Sequence, residues 1–345
     1  MKIAMHARAL GDFGRAAAEV ADLEKAGLDI VYVGESYTFD AVSKVGYLAA
    51  RTERVQIATV IMNVFTRTPA LTAMTAAGCD SLSGGRFILG LGTSGPQVNE
   101  GFHGVRYEHG IARVKDTIEV CRRVWRREPL VYTGRTVQAP LGGAEQSLRP
   151  LKLIDHPLRD RIPIWWAAMT DGAVAATAEL CEGWLPAWLI PERREDVYGR
   201  SLAAGLAKRL PGLPPLEISA RAVVSIGEQV EVDAVNDLTR PALALYVGGM
   251  GGRATNYYNQ LAVRYGYERE AQEIQDLYLD GKKAEASARL PADWIAKMNL
   301  VGPAGHVAER LAAYRDAGVT VIEVEPHGEP LATITALREL IEKTS

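Results

Sequence analysis

The sequence predicts an α/β fold, a single (β/α)₈ barrel. Three observations carry this reading. Short apolar runs alternate with helical periods almost from the first residue, and about eight such runs can be counted. The runs are apolar almost throughout, as strands buried on both faces of a parallel sheet must be. Two helix-to-strand junctions also use matching words, Ala26-Gly27-Leu28-Asp29-Ile30-Val31 and Ala317-Gly318-Val319-Thr320-Val321-Ile322. An open doubly wound sheet is the alternative arrangement of the same elements.

In chain order, the first strand is Ile3 to Ala7. Arg15 to Ala26 then places Ala16, Val20, Leu23 and Ala26 on one helical stripe, and Gly27 supplies the left-handed turn that ends it. Strands follow at Ile30 to Gly34 and Val55 to Ile61. Thr68 caps a helix whose first residue is Pro69, where the missing N–H is harmless. Phe87 to Gly92 is the fourth strand, and helical periodicity resumes only near Gly110. The segment 132–161 is rich in Gly, Pro and polar residues and reads as a loop or hairpin inserted over the barrel mouth. Ile162 to Ala168 leads into a helix capped by Thr170 or Asp171. Weaker strand patterns lie at Gly183 to Pro186 and Ile218 to Ile226. The interval 227–302 exceeds a normal connection and reads as a helical insertion, with helices at Asp233 to Tyr246, Arg253 to Tyr265, Glu268 to Leu279 and Pro291 to Met298. Pro303 to Ala317 and Val321 to Val324 complete the barrel, so residues 1–345 form one domain with two insertions.

Composition narrows the function. Lys plus Arg number 39 against 42 Asp plus Glu, a net charge of −3 with pI near 6.1, which lacks the basic footprint of a nucleic-acid binder. Cys79, Cys121 and Cys181 are far apart, which speaks against a zinc ribbon or a disulfide framework and suits a reducing cytoplasm. His6 and Arg8 interrupt the N-terminal apolar run, so it does not read as a signal peptide, and no run reaches the ~18 residues of a membrane span. The six histidines form no His-Glu-x-x-His or other dense spacing, so no metal site is expected. The expectation is a cytoplasmic protein with no nucleic-acid or membrane partner.

Chemistry is expected at the C-terminal ends of the strands, where barrel enzymes keep their sites. His6 ends strand 1; a histidine there is either a core residue bonded to a neighbour or a proton donor. Glu35, after strand 2, could be catalytic, touch a ligand or pair with a neighbouring base. Strand 3 ends through Thr59, Val60 and Ile61, with Asn63 just beyond it, and these four are candidate cofactor contacts. After strand 4, Gly90-Leu91-Gly92-Thr93-Ser94-Gly95 literally matches Gly-x-Gly-x-x-Gly, but Pro96 follows where a dinucleotide site needs an opening helix. Glycines there release the strand in a tight bend and let backbone approach a flat ring, while Thr93, Ser94, Gln97 and Asn99 offer hydrogen bonds. Ala168, Met169 and Thr170 precede a helix N-terminus, a ready phosphate site. The Gly-x-Ser-x-Gly word of serine hydrolases is absent.

Taken together, these words resemble the luciferase-like monooxygenase family, and especially its coenzyme F-420 (deazaflavin)-dependent branch. The most specific is Leu82-Ser83-Gly84-Gly85-Arg86-Phe87-Ile88-Leu89-Gly90-Leu91-Gly92-Thr93-Ser94-Gly95-Pro96-Gln97-Val98. Arg67-Thr68-Pro69-Ala70, Pro163-Ile164-Trp165, Gly183-Trp184-Leu185-Pro186 and Tyr246-Val247-Gly248-Gly249-Met250-Gly251 support it. The resemblance implies a barrel, usually a homodimer, that binds a deazaflavin or flavin at the C-terminal mouth. It places a non-proline cis peptide at Thr59-Val60 or Val60-Ile61, behind the central ring. It sets Glu35 near the ring, Thr93 to Asn99, including Gly95, along the polar edge, and Ala168, Met169 and Thr170 near the side-chain phosphate. The family's sugar-phosphate dehydrogenases carry a histidine after the strand-2 acid and a glutamate in the strand-4 loop; Ser36 and, approximately, Gly95 stand there instead. The implied function is hydride transfer between coenzyme F-420 and a small organic substrate, with His6 and Glu35 as the catalytic candidates. The alternatives are an FMN-dependent monooxygenase or reductase, and a non-catalytic cofactor-binding barrel.

Overall fold

A computed structural model describes residues 1–8, 11–142, 148–253 and 255–344. Eight parallel strands close on themselves: β1 Lys2–His6, β2 Ile30–Val33, β3 Gln56–Thr59, β4 Phe87–Gly92, β5 Ile164–Ala167, β6 Gly183–Leu185, β7 Glu217–Ile226 and β8 Val321–Pro326. The closing pairs are Ile218 with Trp184, Ser219 with Val321, and Ile3 with Ile322. Closure removes the sheet edge, and the open doubly wound alternative with it.

Two cores result from the alternation of side chains along each strand. Outward residues pack against the helices in one large cluster. Inward residues Ala4, Ile30, Tyr32, Ala58, Ile88, Trp165 and Val321 fill the barrel interior. The Tyr32 hydroxyl shares a 2.7 Å hydrogen bond with Ser219 Oγ, so the one buried phenol among these groups is satisfied.

The helix signals hold where a cap or glycine carried them. Thr68 accepts from the Leu71 N–H at 3.2 Å and Pro69 opens the helix Pro69–Leu82. Gly27 (φ +104°) and Gly318 (φ +75°) follow the helices Phe13–Lys25 and Ala304–Asp316. Two expectations need correction. Pro96–Asn99 is a short helix directly after the glycine loop, opened by the same proline that had argued against one. The helix expected over Asp233 to Tyr246 is two, Val232–Asp237 and Arg240–Ala244, the second running into a π turn at Leu245–Gly249. Pro241 explains the break, because it has no N–H and its ring collides with the carbonyl four residues back. The insertion also holds Tyr257–Arg264, Glu268–Leu279, Lys283–Ala288 and Ala292–Met298. In the 132–161 segment, Tyr132–Thr133 pairs antiparallel with Gln138–Ala139, tied to the barrel by Asp116. No helix of the described residues is long and apolar enough to cross a membrane.

The irregularity that shapes the mouth is in β3. Ala58 faces Ile88 and Met62 faces Leu91, so the β3 side carries one residue more than the β4 side. The extra residue bulges at Val60-Ile61, whose peptide bond is the cis bond placed at one of two positions from sequence. Opposite it, a Cβ on Gly90 would lie 1.7 Å from the Thr59 carbonyl oxygen, and one on Gly92 would lie 2.9 Å from Ile61 Cγ1. Two of the three glycines in the Gly-x-Gly-x-x-Gly word therefore make room for the β3 bulge, not for a phosphate.

Gly90→Ala should lose about 3 kcal/mol or fail to fold, since a backbone carbonyl cannot yield as a side chain can. Gly95→Ala, where a Cβ meets nothing within 4 Å, should stay within about 0.5 kcal/mol of the parent. Urea unfolding of both variants checks the pair, and equal stabilities would refute the assignment.

Candidate active site at the barrel mouth

The C-terminal ends of the strands carry three groups of polar residues with different work. The first joins β2 to β3. Glu35 is buried, and Arg67 donates to both its oxygens, at 2.7 and 2.8 Å. The Ala41 N–H adds a third bond at 3.1 Å. Burial pushes the Glu35 carboxyl up, but the Arg67 guanidinium and the Ala41 amide more than offset this and hold it below the usual glutamate range. Glu35 is thus the pairing residue among the three options left open by sequence. Its carboxylate is engaged by a fork of hydrogen bonds from Arg67.

The second group fixes the strand-4 loop. Asn63 Nδ2 donates to Asn99 Oδ1 at 2.8 Å, and Asn99 Nδ2 donates to the carbonyls of Thr93 (2.7 Å) and Gly95 (2.9 Å). Both asparagines are buried, as is Thr59, whose hydroxyl bonds both backbone groups of Gly90. The side chains of these three are spent on holding the wall together. Val60, Ile61, Thr93, Ser94 and Gly95 keep part of their surface open, and Gln97 is exposed. Tyr107 donates to Thr93 Oγ1 at 3.2 Å, and Ser94 has a left-handed backbone (φ +53°).

Across the mouth, Ala168 is buried and its carbonyl accepts from Trp184 Nε1. Met169 and Thr170 are partly open before the helix Asp171–Leu180. Arg264 borders them, and Arg113 stands at Phe65. Arg264, from the insertion, donates to the Met169 carbonyl at 3.0 Å and to Asp171 at 2.7 Å. Arg113 lies over the Phe65 ring at 4.8 Å, and its Nε is buried without a hydrogen-bond partner. Gly248 and Gly249, noted from sequence as conceivable contacts, pack on Tyr278, where a Cβ would come within 2.4 Å.

The third group gathers around His6, and its other members were missed in the sequence. Register points Arg221 of β7 and Glu323 and Glu325 of β8 into the same end of the barrel as His6. His6 Nε2 lies 3.2 Å from Glu323 Oε1, and Arg221 Nε lies 3.8 Å from the same oxygen. Arg8 reaches Glu325 at 2.6 Å, and Arg221 bonds Glu325 as well. Burial raises the Glu323 carboxyl, yet the charges of His6, Arg221 and Arg8 bring it below its ordinary value. The available signal was the alternation Glu323-Val324-Glu325 inside an otherwise apolar strand, since residues two apart share a face. Among the described residues no group of His, Cys, Asp and Glu is placed to hold a metal ion.

With this geometry established, comparison places the chain. A family model described as luciferase-like monooxygenase matches residues 2–321. The chain belongs to the luciferase-like monooxygenase family. A provisionally named coenzyme F420-dependent oxidoreductase of Mycobacterium tuberculosis is 38% identical over 312 residues, covering 88% of each chain. The 5,10-methylenetetrahydromethanopterin reductase of Archaeoglobus fulgidus is 24% identical over 300 residues, covering 87% of this chain and 85% of the relative. Among solved structures, the coenzyme F420-dependent tetrahydromethanopterin reductase of Methanopyrus kandleri superposes with TM-score 0.79 at 18% identity, over 100% of this chain and 99% of the other. An F420-dependent secondary alcohol dehydrogenase, solved with an F420-acetone adduct, gives 0.75 at 15% identity over 100% and 99%. These two likenesses establish the shared barrel of the luciferase-like family.

The Glu35–Arg67 pair makes a pH prediction. A carboxyl held low in the folded state contributes stability above its unfolded pKa and loses it as pH falls through the folded one. Glu35→Gln should cost about 3 kcal/mol at pH 7, because it leaves Arg67 buried without its anion. The difference from the parent should shrink as pH is lowered from about 7 toward 3; a pH-independent difference in denaturant unfolding would contradict the pairing.

Proposed function

We propose that this chain is an F420-dependent oxidoreductase that transfers a hydride between the cofactor and a small organic substrate. The observation that carries the reading is the apolar β3 bulge at Val60-Ile61, backed by Gly90 and Gly92, facing the His6–Glu323 pair within one barrel mouth. Three of the four relatives named above are F420-dependent by description, which supports the same choice of cofactor.

The residues present fit a flat ring with an anionic tail. Val60 and Ile61 supply an apolar face, Thr93, Ser94 and Gly95 a polar edge, and Met169 and Thr170 an open helix N-terminus bordered by Arg264, while Arg113 over Phe65 keeps a buried Nε without a partner. When bound, reduced F420 supplies a hydride to an electrophilic carbon. The protein orients the substrate and delivers a proton to the anion that develops beside that carbon. His6 is the donor in this reading, and Glu323, 3.2 Å from Nε2, is its positioning residue, leaving Nδ1 to serve the substrate. Arg221 and Arg8 keep the carboxylates of this wall charged.

A homodimer belongs to the same proposal. Leu71 and Met74, one turn apart on the helix Pro69–Leu82, expose apolar side chains that a second copy would cover.

Titration with F420 and with FMN tests the cofactor, and micromolar binding of FMN without binding of F420 would reverse the choice. Thr170→Asp should weaken F420 binding at low salt by like-charge repulsion, and unchanged affinity would remove this loop from the site. Once a substrate is known, His6→Ala should keep F420 binding but lower turnover at least tenfold, about 1.4 kcal/mol of transition-state stabilisation. Full turnover would discard His6 as the donor.

A further inference from the structure

The charge of the His6 wall depends on a proton, because histidine changes charge near neutral pH. With His6 protonated, three cations share two carboxylates: His6 and Arg221 face Glu323, while Arg221 and Arg8 face Glu325. Each cation has a partner, but the set carries one positive charge in excess. Once the proton has left His6, the four remaining charges balance.

Two of the three cations meet at a single atom. Glu323 Oε1 lies 3.2 Å from His6 Nε2 and 3.8 Å from Arg221 Nε. Glu323 favours the protonated ring, whereas Arg221 opposes it twice, by drawing on the same oxygen and by repelling a second cation beside it. Water screens little of this, since only 15% of the Glu323 side chain is exposed.

Arg221 is held beside this oxygen. Glu325 bonds it, and its guanidinium lies over the Trp188 ring at 5.5 Å. Trp188 has a left-handed backbone (φ +48°), rare for a large residue, with Tyr246 at its edge at 5.4 Å. The remaining neighbours of His6 bring no charge. From β2 the Tyr32 ring stands edge-on at 5.6 Å; burial pushes its phenol well up, and its hydroxyl is engaged with Ser219. Burial also pushes up the phenol of Tyr246, from the insertion.

We propose that Arg221 sets how readily His6 releases its proton, by competing with it for one oxygen of Glu323. Arg221 is then a positioning residue, because it acts through Glu323. Its part in the reaction rests on the reading of His6 as the proton donor; its effect on His6 does not.

The test follows the Cε1 proton of His6 by NMR from about pH 4 to 9. Arg221→Gln should raise its titration midpoint by about one pH unit, an acid about tenfold weaker. Arg221→Lys keeps a cation there and should stay within about 0.3 unit of the parent. In a Glu323→Gln background no carboxylate is left to share, so Arg221→Gln should shift His6 by no more than about half as much. In the parent protein the Nε–H signal of Arg221, assigned by its loss in Arg221→Lys, should move with the same midpoint as His6, because coupling between two sites is mutual. That measurement decides the matter if Arg221→Gln does not fold. An unmoved midpoint in Arg221→Gln overturns the proposal, as does an equally large shift in Arg221→Lys, an equal shift in both backgrounds, or an Arg221 signal that does not follow His6. With a substrate in hand, a donor of raised midpoint stays protonated to higher pH, so the alkaline limb of turnover should move up by the same amount in Arg221→Gln. The expected NMR shifts together with full turnover in His6→Ala would sink the donor reading and leave the effect of Arg221 on His6 standing.

Discussion

The hydroxyl of Thr59 and the backbone of Gly90 hold the mouth in shape. A bulge in a parallel strand breaks the hydrogen-bond ladder, and the stranded backbone groups need new partners once buried. Thr59 Oγ1 accepts from the Gly90 N–H at 2.9 Å and donates to the Gly90 carbonyl at 3.0 Å. One side chain thus replaces two ladder bonds. It can reach both only because residue 90 has no Cβ, which would overlap the Thr59 carbonyl. Beyond this lock the two strands resume pairing at Met62 and Leu91, and Asn63 is delivered to Asn99. The apolar wall and the polar loop beside it are consequences of one close approach of two strands.

Opposite this wall, charge takes the place of packing. Below the mouth the interior is filled by the apolar cluster and the Tyr32–Ser219 bond, with the Lys2–Glu217 pair at its floor, whereas its C-terminal end carries His6, Arg221 and Glu323 within reach of one another. Buried charges are tolerated only with partners, and removing one partner costs more than the pair contributes. The set is therefore interdependent: Glu323 stays ionised because His6 and the arginines face it, and Arg221 stays charged because two carboxylates do. Such a network gives the mouth a fixed electrostatic pattern without relying on loops.

Much of the fold was legible because its signals are local. Buried parallel strands must be apolar on both faces, so β1 to β4 stand out in the sequence, and Thr68, Gly27 and Gly318 mark helix ends by backbone chemistry alone. Partners distant in the chain were not legible. Nothing near Glu35 identifies Arg67, 32 residues away, and nothing near Asn99 identifies Asn63. The glycine word was visible, but its cause is a steric conflict with another strand. Arg221 escaped notice because a weak strand pattern hides which of its residues face inward, a property set by barrel register.

The two halves of the mouth differ in a way that orders what they can hold. On the β3 to β5 side, Arg113 has a buried nitrogen without a partner and Arg264 stands beside a helix N-terminus. On the β7, β8 and β1 side, every charged side chain of the wall is neutralised by a neighbour. An anionic group would lose hydration among the paired charges of the second half with no free cation to replace it. The difference follows from which side chains each strand end brings together: Arg264 has Asp171, Arg221 has two carboxylates, and Arg113 has the Phe65 ring.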